Sequence, residues 1–487
     1  MLKGFVDENK NYKNLINGEW RDSSREDRLE ILSPVDDSLV GRVPAMTRLE
    51  AEQAILAARK ACGSWANTPV FQRAELFYKA AERLEAHQDE IAEILVMEIA
   101  KDKKSAYSEI SRTADFLRYT ADMGKSMEGI AVAGDHFPGG ARNKLSYVTR
   151  VPLGVVLAIS PFNYPVNLSL SKIAPALIGG NTVVLKPPSQ GAISALYLAA
   201  VFQEAGIPKG VLNTVTGRGG EIGDFLATHP EIDFINFTGS TQVGKHLAET
   251  AGMVPLMLEL GGKDAAIVLE DADLDATAEN VVTGGYSYSG QRCTAVKRIL
   301  AVDSIADELV EKMVRRIKQL KTGDPREEGV TVVPLINDKA VTYVQELIQD
   351  ALGKGARLAT GNRTRGRLME PILLDHVNTE MRIAWEEPFG PVLPVLRMKN
   401  AEEAVDIANR SEYGLQSSVF TKDIDRAFAV ANRLEVGTVQ INGKPERGPD
   451  HFPFLGVKSS GMGTQGVRYS IEAMTRPKAV VVNLGEV

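Results

Sequence analysis

Two hydrophobic periods divide the chain. From about residue 47 to 125, apolar side chains recur every three to four positions, as in Ala74-Glu-Leu-Phe-Tyr-Lys-Ala-Ala-Glu-Arg-Leu. That spacing predicts amphipathic helices, and Thr47 followed by Glu50 predicts a capped start for the first. From about 151 the pattern becomes short apolar runs: Val155-Val-Leu-Ala-Ile-Ser, Thr182-Val-Val-Leu-Lys, Leu212-Asn-Thr-Val-Thr, Phe234-Ile-Asn-Phe-Thr and Pro255-Leu-Met-Leu-Glu-Leu. Helical stretches, Ala192 to Ala205 and Gln242 to Ala251, lie between them. Apolar strands alternating with helices predict a mostly parallel, doubly wound α/β sheet, with any ligand outside the carboxyl ends of its strands.

A second α/β series begins near 264 with Ala265-Ala-Ile-Val-Leu and continues through Lys297-Arg-Ile-Leu-Ala-Val and Thr438-Val-Gln-Ile-Asn. The tail, Pro477-Lys-Ala-Val-Val-Val-Asn-Leu, is a further strand that needs an edge to pair with, inside this chain or on another subunit.

Composition narrows the function. The 487 residues, enough for two or three domains, are 24% charged and 44% hydrophobic, as in ordinary globular proteins. A net charge of -7 argues against nucleic acid as the main partner. No apolar run is long enough to span a bilayer, so no membrane partner is expected. Two distant cysteines, Cys62 and Cys293, make neither a disulfide framework nor a C-x-x-C metal site. The six histidines show no ligand spacing, and no protein-bound metal is expected. The first ten residues lack the apolar core of a signal peptide, and the expected compartment is a reducing cytoplasm.

Candidate chemistry centres on Tyr288-Ser-Gly-Gln-Arg-Cys-Thr294. Cys62 sits in a helical run, whereas Cys293 follows a small, flexible Ser-Gly-Gln element and adjoins Arg292, a cation able to stabilise a thiolate. The heptapeptide alone fits a nucleophile and a buried structural cysteine equally. For a dinucleotide, Gly217-Arg-Gly-Gly-Glu-Ile-Gly misses the G-x-G-x-x-G spacing by one residue. Phe237-Thr238-Gly239-Ser240, running on to Gly244, follows a strand and opens a helix, so it reads as a phosphate cradle or as a plain capped turn. Lys186, at the end of its strand, could reach a ribose or phosphate, or simply snorkel.

Six motifs stand in one order: Pro161-Phe-Asn-Tyr-Pro, Leu185-Lys-Pro-Pro-Ser, Phe237-Thr-Gly-Ser-Thr, Leu258-Glu-Leu-Gly-Gly-Lys, Gly290-Gln-Arg-Cys-Thr and Glu386-Glu-Pro-Phe-Gly-Pro. Together they resemble the aldehyde dehydrogenase superfamily over nearly the whole chain. Ile159-Ser-Pro-Phe-Asn-Tyr-Pro-Val-Asn-Leu, Ser289-Gly-Gln-Arg-Cys-Thr-Ala-Val-Lys-Arg, Arg447-Gly-Pro-Asp-His-Phe-Pro-Phe-Leu-Gly and Val467-Arg-Tyr-Ser-Ile-Glu-Ala-Met-Thr bring it nearest to the non-phosphorylating, NADP-dependent glyceraldehyde-3-phosphate dehydrogenases.

The resemblance implies an α/β fold, aldehyde dehydrogenase-like, with two doubly wound α/β domains plus a small β oligomerisation element. Residues 1–134 and 151–260 would bind the cofactor, 261–466 would form the catalytic domain, and 135–150 with 467–487 the oligomerisation element of a homotetramer, a dimer of dimers. It implies Cys293 as nucleophile, Asn163 with the Cys293 N–H as oxyanion donors, and Glu259 as the base that activates water. Burial of Glu259 is expected to raise its pKa into the range a base needs. Lys186, Ser189, Phe237, Thr238, Gly239, Ser240, Gly244, Glu387 and Phe389 would hold the cofactor, and Lys263 reads as structural. An uncharged Ser189 beside Lys186 points to NADP, with NAD the weaker alternative. Arg112, Tyr164, Arg292, Thr294 and Arg447 would hold a small phosphorylated aldehyde. The implied reaction is oxidation of D-glyceraldehyde 3-phosphate to 3-phosphoglycerate; the alternative is a non-phosphorylated substrate such as a semialdehyde or lactaldehyde.

Overall fold

The structure is a computed structural model describing residues 4–485. The Thr47 hydroxyl accepts from the Glu50 N–H and the Glu50 carboxylate accepts from the Thr47 N–H, so the helix Arg48–Ala66 starts on the capping box that the sequence predicts. It buries Ala51, Ala54, Ile55, Ala58, Ala61 and Trp65, a three-and-four spacing that makes one apolar face. Val70–Ala86, Gln88–Ile99 and Lys103–Lys125 complete the helical run. The last packs on the helix Asn167–Ile178 and carries Glu109 and Arg112.

The predicted strands join others, which the apolar runs do not single out, in two sheets. In the first, the order is Gly461–Met462, Leu256–Glu259, Phe234–Thr238, Val155–Ile159, Thr182–Lys186 and Leu212–Thr214. Every neighbouring pair is parallel except the first, where a short late segment of the chain closes the edge antiparallel. The central strands are buried on both faces by helices, which is why they read as unbroken apolar runs. The second sheet runs Arg357–Thr360, Ile372–Val377, Val392–Met398, Arg298–Val302, Ala265–Val268, Gln416–Phe420 and Thr438–Ile441, parallel except at Arg357–Thr360.

The tail strand, Thr475–Asn483, finds its partner inside the chain. It pairs antiparallel with Lys144–Pro152, which pairs on its other side with Ile130–Ala133. Among the described residues the outer edge of the tail strand has no partner, with Val480, Val481 and Val482 exposed. No helix of the described residues is long and apolar enough to cross a membrane.

Candidate active site

Register places the chemistry. Ile159 is level with Lys186, Phe237 with Ile159, and Thr238 with Glu259, so four neighbouring strands of the first sheet end together. Asn163, Lys186, Thr238 and Glu259 therefore leave one carboxyl edge, as expected for a parallel sheet. Two of these residues are buried hard there: Asn163 is 3% and Glu259 2% exposed. The second sheet contributes differently. Cys293 precedes the strand Arg298–Val302, and Glu387 and Phe389 precede Val392–Met398, so these residues come from the amino ends of their strands.

The loop before Cys293 is pinned by tertiary contacts, where Ser-Gly-Gln suggests a flexible element. Tyr288, Ser289 and Gly290 take φ of 51°, 54° and 71° in succession, left-handed values that cost roughly 1–2 kcal/mol at each non-glycine residue. Tertiary hydrogen bonds hold that conformation. Ser289 Oγ donates to the Val333 carbonyl at 2.6 Å and accepts from the Val333 N–H at 2.7 Å. Gln291 Oε1 accepts from the Ile336 N–H at 2.9 Å, and the Tyr288 hydroxyl donates to the Ile99 carbonyl at 2.9 Å. Asn163 Nδ2 donates to the Gln291 carbonyl at 3.0 Å, which ties the Asn163 amide to the cysteine loop and leaves one Nδ2 proton free. The Cys293 N–H donates to no protein acceptor among the described residues.

Cys293 Sγ lies 3.8 Å from Glu259 Oε1. Glu259 is the hub of a network: it accepts from Thr238 Oγ1 at 2.9 Å, from Gln465 Nε2 at 2.9 Å, and from Arg447 Nη1 at 3.1 and 2.9 Å. Lys172 Nζ donates to Thr238 Oγ1 at 2.7 Å, behind the carboxylate. Burial alone would push Glu259 up, but the charges of Arg447 and Lys172 and the hydrogen bonds outweigh it, and its pKa lies below the ordinary carboxylate value. The expected rise is therefore reversed, because the carboxylate is buried together with its counter-charges. Burial pushes Lys172 down to about 7.

The thiol behaves in the opposite way from the sequence expectation. Burial, then the Glu259 charge, push Cys293 up to about 12, against partial relief from Lys297 and Arg447. Arg292 is not among the main groups that ease it: its guanidinium donates to the Gly284 carbonyl instead, and its Nε has no partner among the described residues. Adjacency in sequence misleads here because residues 292 and 293 stand in a turn that sends their side chains to different partners. The ligand-free thiol is accordingly expected to react slowly with iodoacetamide at neutral pH, with a rate still climbing above pH 9. Glu259→Gln removes a charge that opposes the thiolate, so its alkylation profile is expected to move to lower pH. A plateau by pH 8, or no movement in that variant, would refute this electrostatic reading.

The predicted cofactor residues divide. Lys186 is 7% exposed and its ammonium meets only its neighbour's carbonyl, Pro187 O at 3.5 Å, so burial lowers its pKa to about 8. Ser189, three residues on, is exposed. Ser240 caps the helix Thr241–Thr250 by accepting from the Val243 N–H, the plain turn reading of that motif. Gly244 has a packing role: a Cβ there would sit 2.3 Å from Leu260. A Cβ on Gly239 would sit 2.5 Å from the Phe237 ring. Glu387 Oε1 accepts from the Gly262 N–H at 3.2 Å and pairs with Lys297 Nζ at 3.0 Å. Gly261 admits this approach, since a Cβ would stand 2.3 Å from Glu387 Oε2. Phe389 holds φ of 47°, and its ring meets Phe162 edge-on at 5.9 Å.

Two of the predicted substrate arginines are joined. Arg112 grips Asp450 with Nε at 2.6 Å and Nη2 at 2.7 Å, and Nη2 also donates to the Arg447 carbonyl at 2.7 Å. Asp450 lies 3.9 Å from the Arg447 guanidinium, which in turn holds Glu259, so a chain of charge runs from Arg112 through Asp450 and Arg447 to the carboxylate beside the thiol. Tyr164 lies over Lys101, and Thr294 is buried beside Cys293. Lys263 is buried, and its ammonium has no hydrogen-bond partner among the described residues.

Sequence reasoning passes over Lys172, Lys297, Asp450 and Gln465. Lys172 is detectable as a lone charge in the apolar helix Asn167–Ile178. Lys297 donates to the Cys293 carbonyl and pairs with Glu387, contacts that no local pattern announces. Asp450 and Gln465 stand in loop and edge segments without periodicity.

Comparison with known proteins agrees with this arrangement. A sequence model described as the aldehyde dehydrogenase family matches residues 20–480. The chain is 53% identical to an NADP-dependent glyceraldehyde-3-phosphate dehydrogenase of Streptococcus equinus, over 98% of this chain and 100% of that one. It is 51% identical to the protein of the same description in Triticum aestivum, over 97% of this chain and 95% of that one. Among solved structures, an NADP-dependent glyceraldehyde-3-phosphate dehydrogenase of Bacillus halodurans complexed with NADP superposes with a TM-score of 0.97 at 51% identity, over 98% of this chain and 100% of that one.

Proposed function

Because this chain belongs to the aldehyde dehydrogenase family, we propose that it oxidises D-glyceraldehyde 3-phosphate to 3-phosphoglycerate with reduction of NADP, through an acyl group carried on Cys293 and released by water. The observation that carries this reading is Arg447, whose guanidinium holds the Glu259 carboxylate, 3.8 Å from the thiol. A phosphorylated substrate gives that cation, and Arg112 beside it, an anion to bind.

The residues fit NADP. The buried Lys186 ammonium lacks a strong acceptor, which a phosphate would provide, and Ser189 brings no charge against it. Glu387, held by Lys297 and Gly262, and Phe389 would flank the nicotinamide half. When bound, the dinucleotide supplies the hydride acceptor.

The small thiolate fraction of Cys293, its proton passed to solvent against the cost set by burial and Glu259, bonds to the aldehyde carbon. The carbonyl oxygen takes up negative charge, received by the free Nδ2 proton of Asn163 and the unengaged Cys293 N–H. After oxidation the acyl group remains on Sγ as a thioester. Glu259 then takes a proton from water, the water oxygen bonds to the acyl carbon, and the C–S bond breaks. Arg447 sets the basicity of the Glu259 carboxylate. While paired with Glu259 it holds the carboxyl low, and a substrate phosphate that draws Arg447 away returns the carboxyl towards a useful base.

One observation favours the non-phosphorylated alternative: Asp450 already neutralises Arg112 with two short hydrogen bonds. A substrate panel without added phosphate or coenzyme A separates the two readings. Glyceraldehyde 3-phosphate with NADP is expected to exceed succinic semialdehyde and lactaldehyde in kcat/KM by about 100-fold. Arg112→Ala is expected to raise KM for the phosphorylated aldehyde by about 10–100-fold, the loss of a charge-assisted contact. Equal kcat/KM across the panel, or an unchanged KM, would favour the alternative.

The exposed edge of Thr475–Asn483 supports assembly into a homotetramer built from strand-sharing dimers. Two unpaired thiols support a reducing, cytoplasmic setting.

A further inference from the structure

A fully buried ion pair lies behind the oxyanion donor, and the steps proposed above do not use it. Lys101, in the turn between Gln88–Ile99 and Lys103–Lys125, pairs with Glu109 on the second of these helices, and both side chains are 0% exposed. Each partner spends most of its remaining capacity on one segment, residues 163–167, and the Lys101 ammonium also lies 5.0 Å from the centre of the Tyr288 ring. Lys101 Nζ donates to the Asn163 carbonyl at 2.7 Å, and it lies 3.5 Å from the centre of the Tyr164 ring. Glu109 Oε1 accepts from the N–H groups of Val166 and Asn167 at 2.9 and 3.0 Å, where the helix Asn167–Ile178 begins. A carboxylate there satisfies the orphan donors of a helix start and complements its dipole.

Stability alone is a poor reason for this pair. Taking two charges out of water is costly, and apolar side chains of similar volume commonly do as well. What an apolar pair lacks is direction. Lys101 can donate along the Asn163 carbonyl and hold an aromatic face, while Glu109 fixes the two amides further along. The segment is thereby clamped from one side by the ion pair and from the other by the Asn163 amide on the Gln291 carbonyl. Arg112 lies on the same helix as Glu109, so one rigid element sets both the donor segment and a cation facing Asp450.

We propose that Lys101 and Glu109 are positioning residues that set the Asn163–Tyr164 peptide so that the Asn163 amide faces the reacting atom on Cys293. The proposal rests on the reading of Asn163 as an oxyanion donor. It requires Lys101 to act through Asn163, and that coupling is measurable.

The test is a double-mutant cycle on the first-turnover burst of NADPH, using the full-length enzyme with glyceraldehyde 3-phosphate and NADP. Asn163→Ala is expected to slow the burst about 100–1000-fold, as loss of an oxyanion donor does. Lys101→Met is expected to slow it about 10–100-fold. Adding Lys101→Met to Asn163→Ala is expected to change the rate by less than about twofold, because the group it positions is gone. Glu109→Gln, which keeps the shape and an acceptor oxygen, goes through the same cycle with an expected loss of about tenfold. It decides the matter if Lys101→Met fails to fold. Multiplying losses, or lowered melting temperature with an unchanged burst, would assign the pair a structural role and overturn the proposal. An unchanged burst in Asn163→Ala would overturn the oxyanion reading itself, and the proposal with it.

Discussion

Cys293→Ala is expected to lose aldehyde oxidation, with kcat lowered by at least about 10,000-fold, because no other group can carry the acyl intermediate. Cys62, the second cysteine, sits on the helix Arg48–Ala66 with its Sγ at the Ala58 carbonyl and the Thr182 hydroxyl. Thr182 opens its strand, so Cys62 lies at the opposite end of the first sheet from the carboxyl edge that carries Glu259. Cys293 itself is half-buried and packs in none of the hydrophobic cores, so the variant should melt near the wild-type temperature and still bind NADP. Steady-state rates, melting temperature and NADP titration check the three statements together. A variant that keeps a hundredth of the activity would remove Cys293 from the chemistry.

Glu259→Gln is the second large effect, and its form matters more than its size. Loss of the base is expected to lower kcat about 100–10,000-fold, the range of general base catalysis. The first turnover should survive. Glu259 opposes thiolate formation, so its neutral isostere makes Cys293 easier to ionise while the oxyanion donors stay in place. The substituted amide also keeps an acceptor oxygen for the hydrogen bonds from Thr238, Gln465 and Arg447, although Arg447 loses its counter-charge. The variant is thus expected to release about one NADPH per active subunit quickly and then nearly stop. Equal slowing of burst and steady state would place Glu259 in the acylation step instead.

The alternation of apolar runs and helices is enough to read the parallel core of the first sheet and three strands of the second, but Arg357–Thr360, Ile372–Val377, Val392–Met398 and Gln416–Phe420 go unread. Thr47 with Glu50 is enough to read the start of the first helix. Motif order assembles Asn163, Glu259 and Cys293. Register brings Asn163 and Glu259 to one edge, because the strand before Asn163 and the strand ending in Glu259 stop within one residue of each other, whereas Cys293 arrives from the amino end of a strand in the second sheet. The early hairpins escape the pattern, although Asn17-Gly18 is the pair that a tight hairpin needs and takes φ of 53° and 76°. Electrostatics is the least legible part. Whether Glu259 is raised or lowered depends on Arg447 and Lys172, which stand 188 and 87 residues away in sequence. The partner of Arg292 is likewise set by a turn and not by adjacency to Cys293. Charges act through space, and a motif records only its own neighbours.

The central claim is that a Cys293 thioester forms and is discharged by water under Glu259. Acid-quenched intact-mass and peptide analysis of Glu259→Gln, mixed for one burst with glyceraldehyde 3-phosphate and NADP, tests it most directly. The account predicts a phosphoglyceryl adduct on the peptide bearing Cys293, in proportion to the NADPH released. NADPH release with no adduct on Cys293, and free acid accumulating at the wild-type rate, would contradict it.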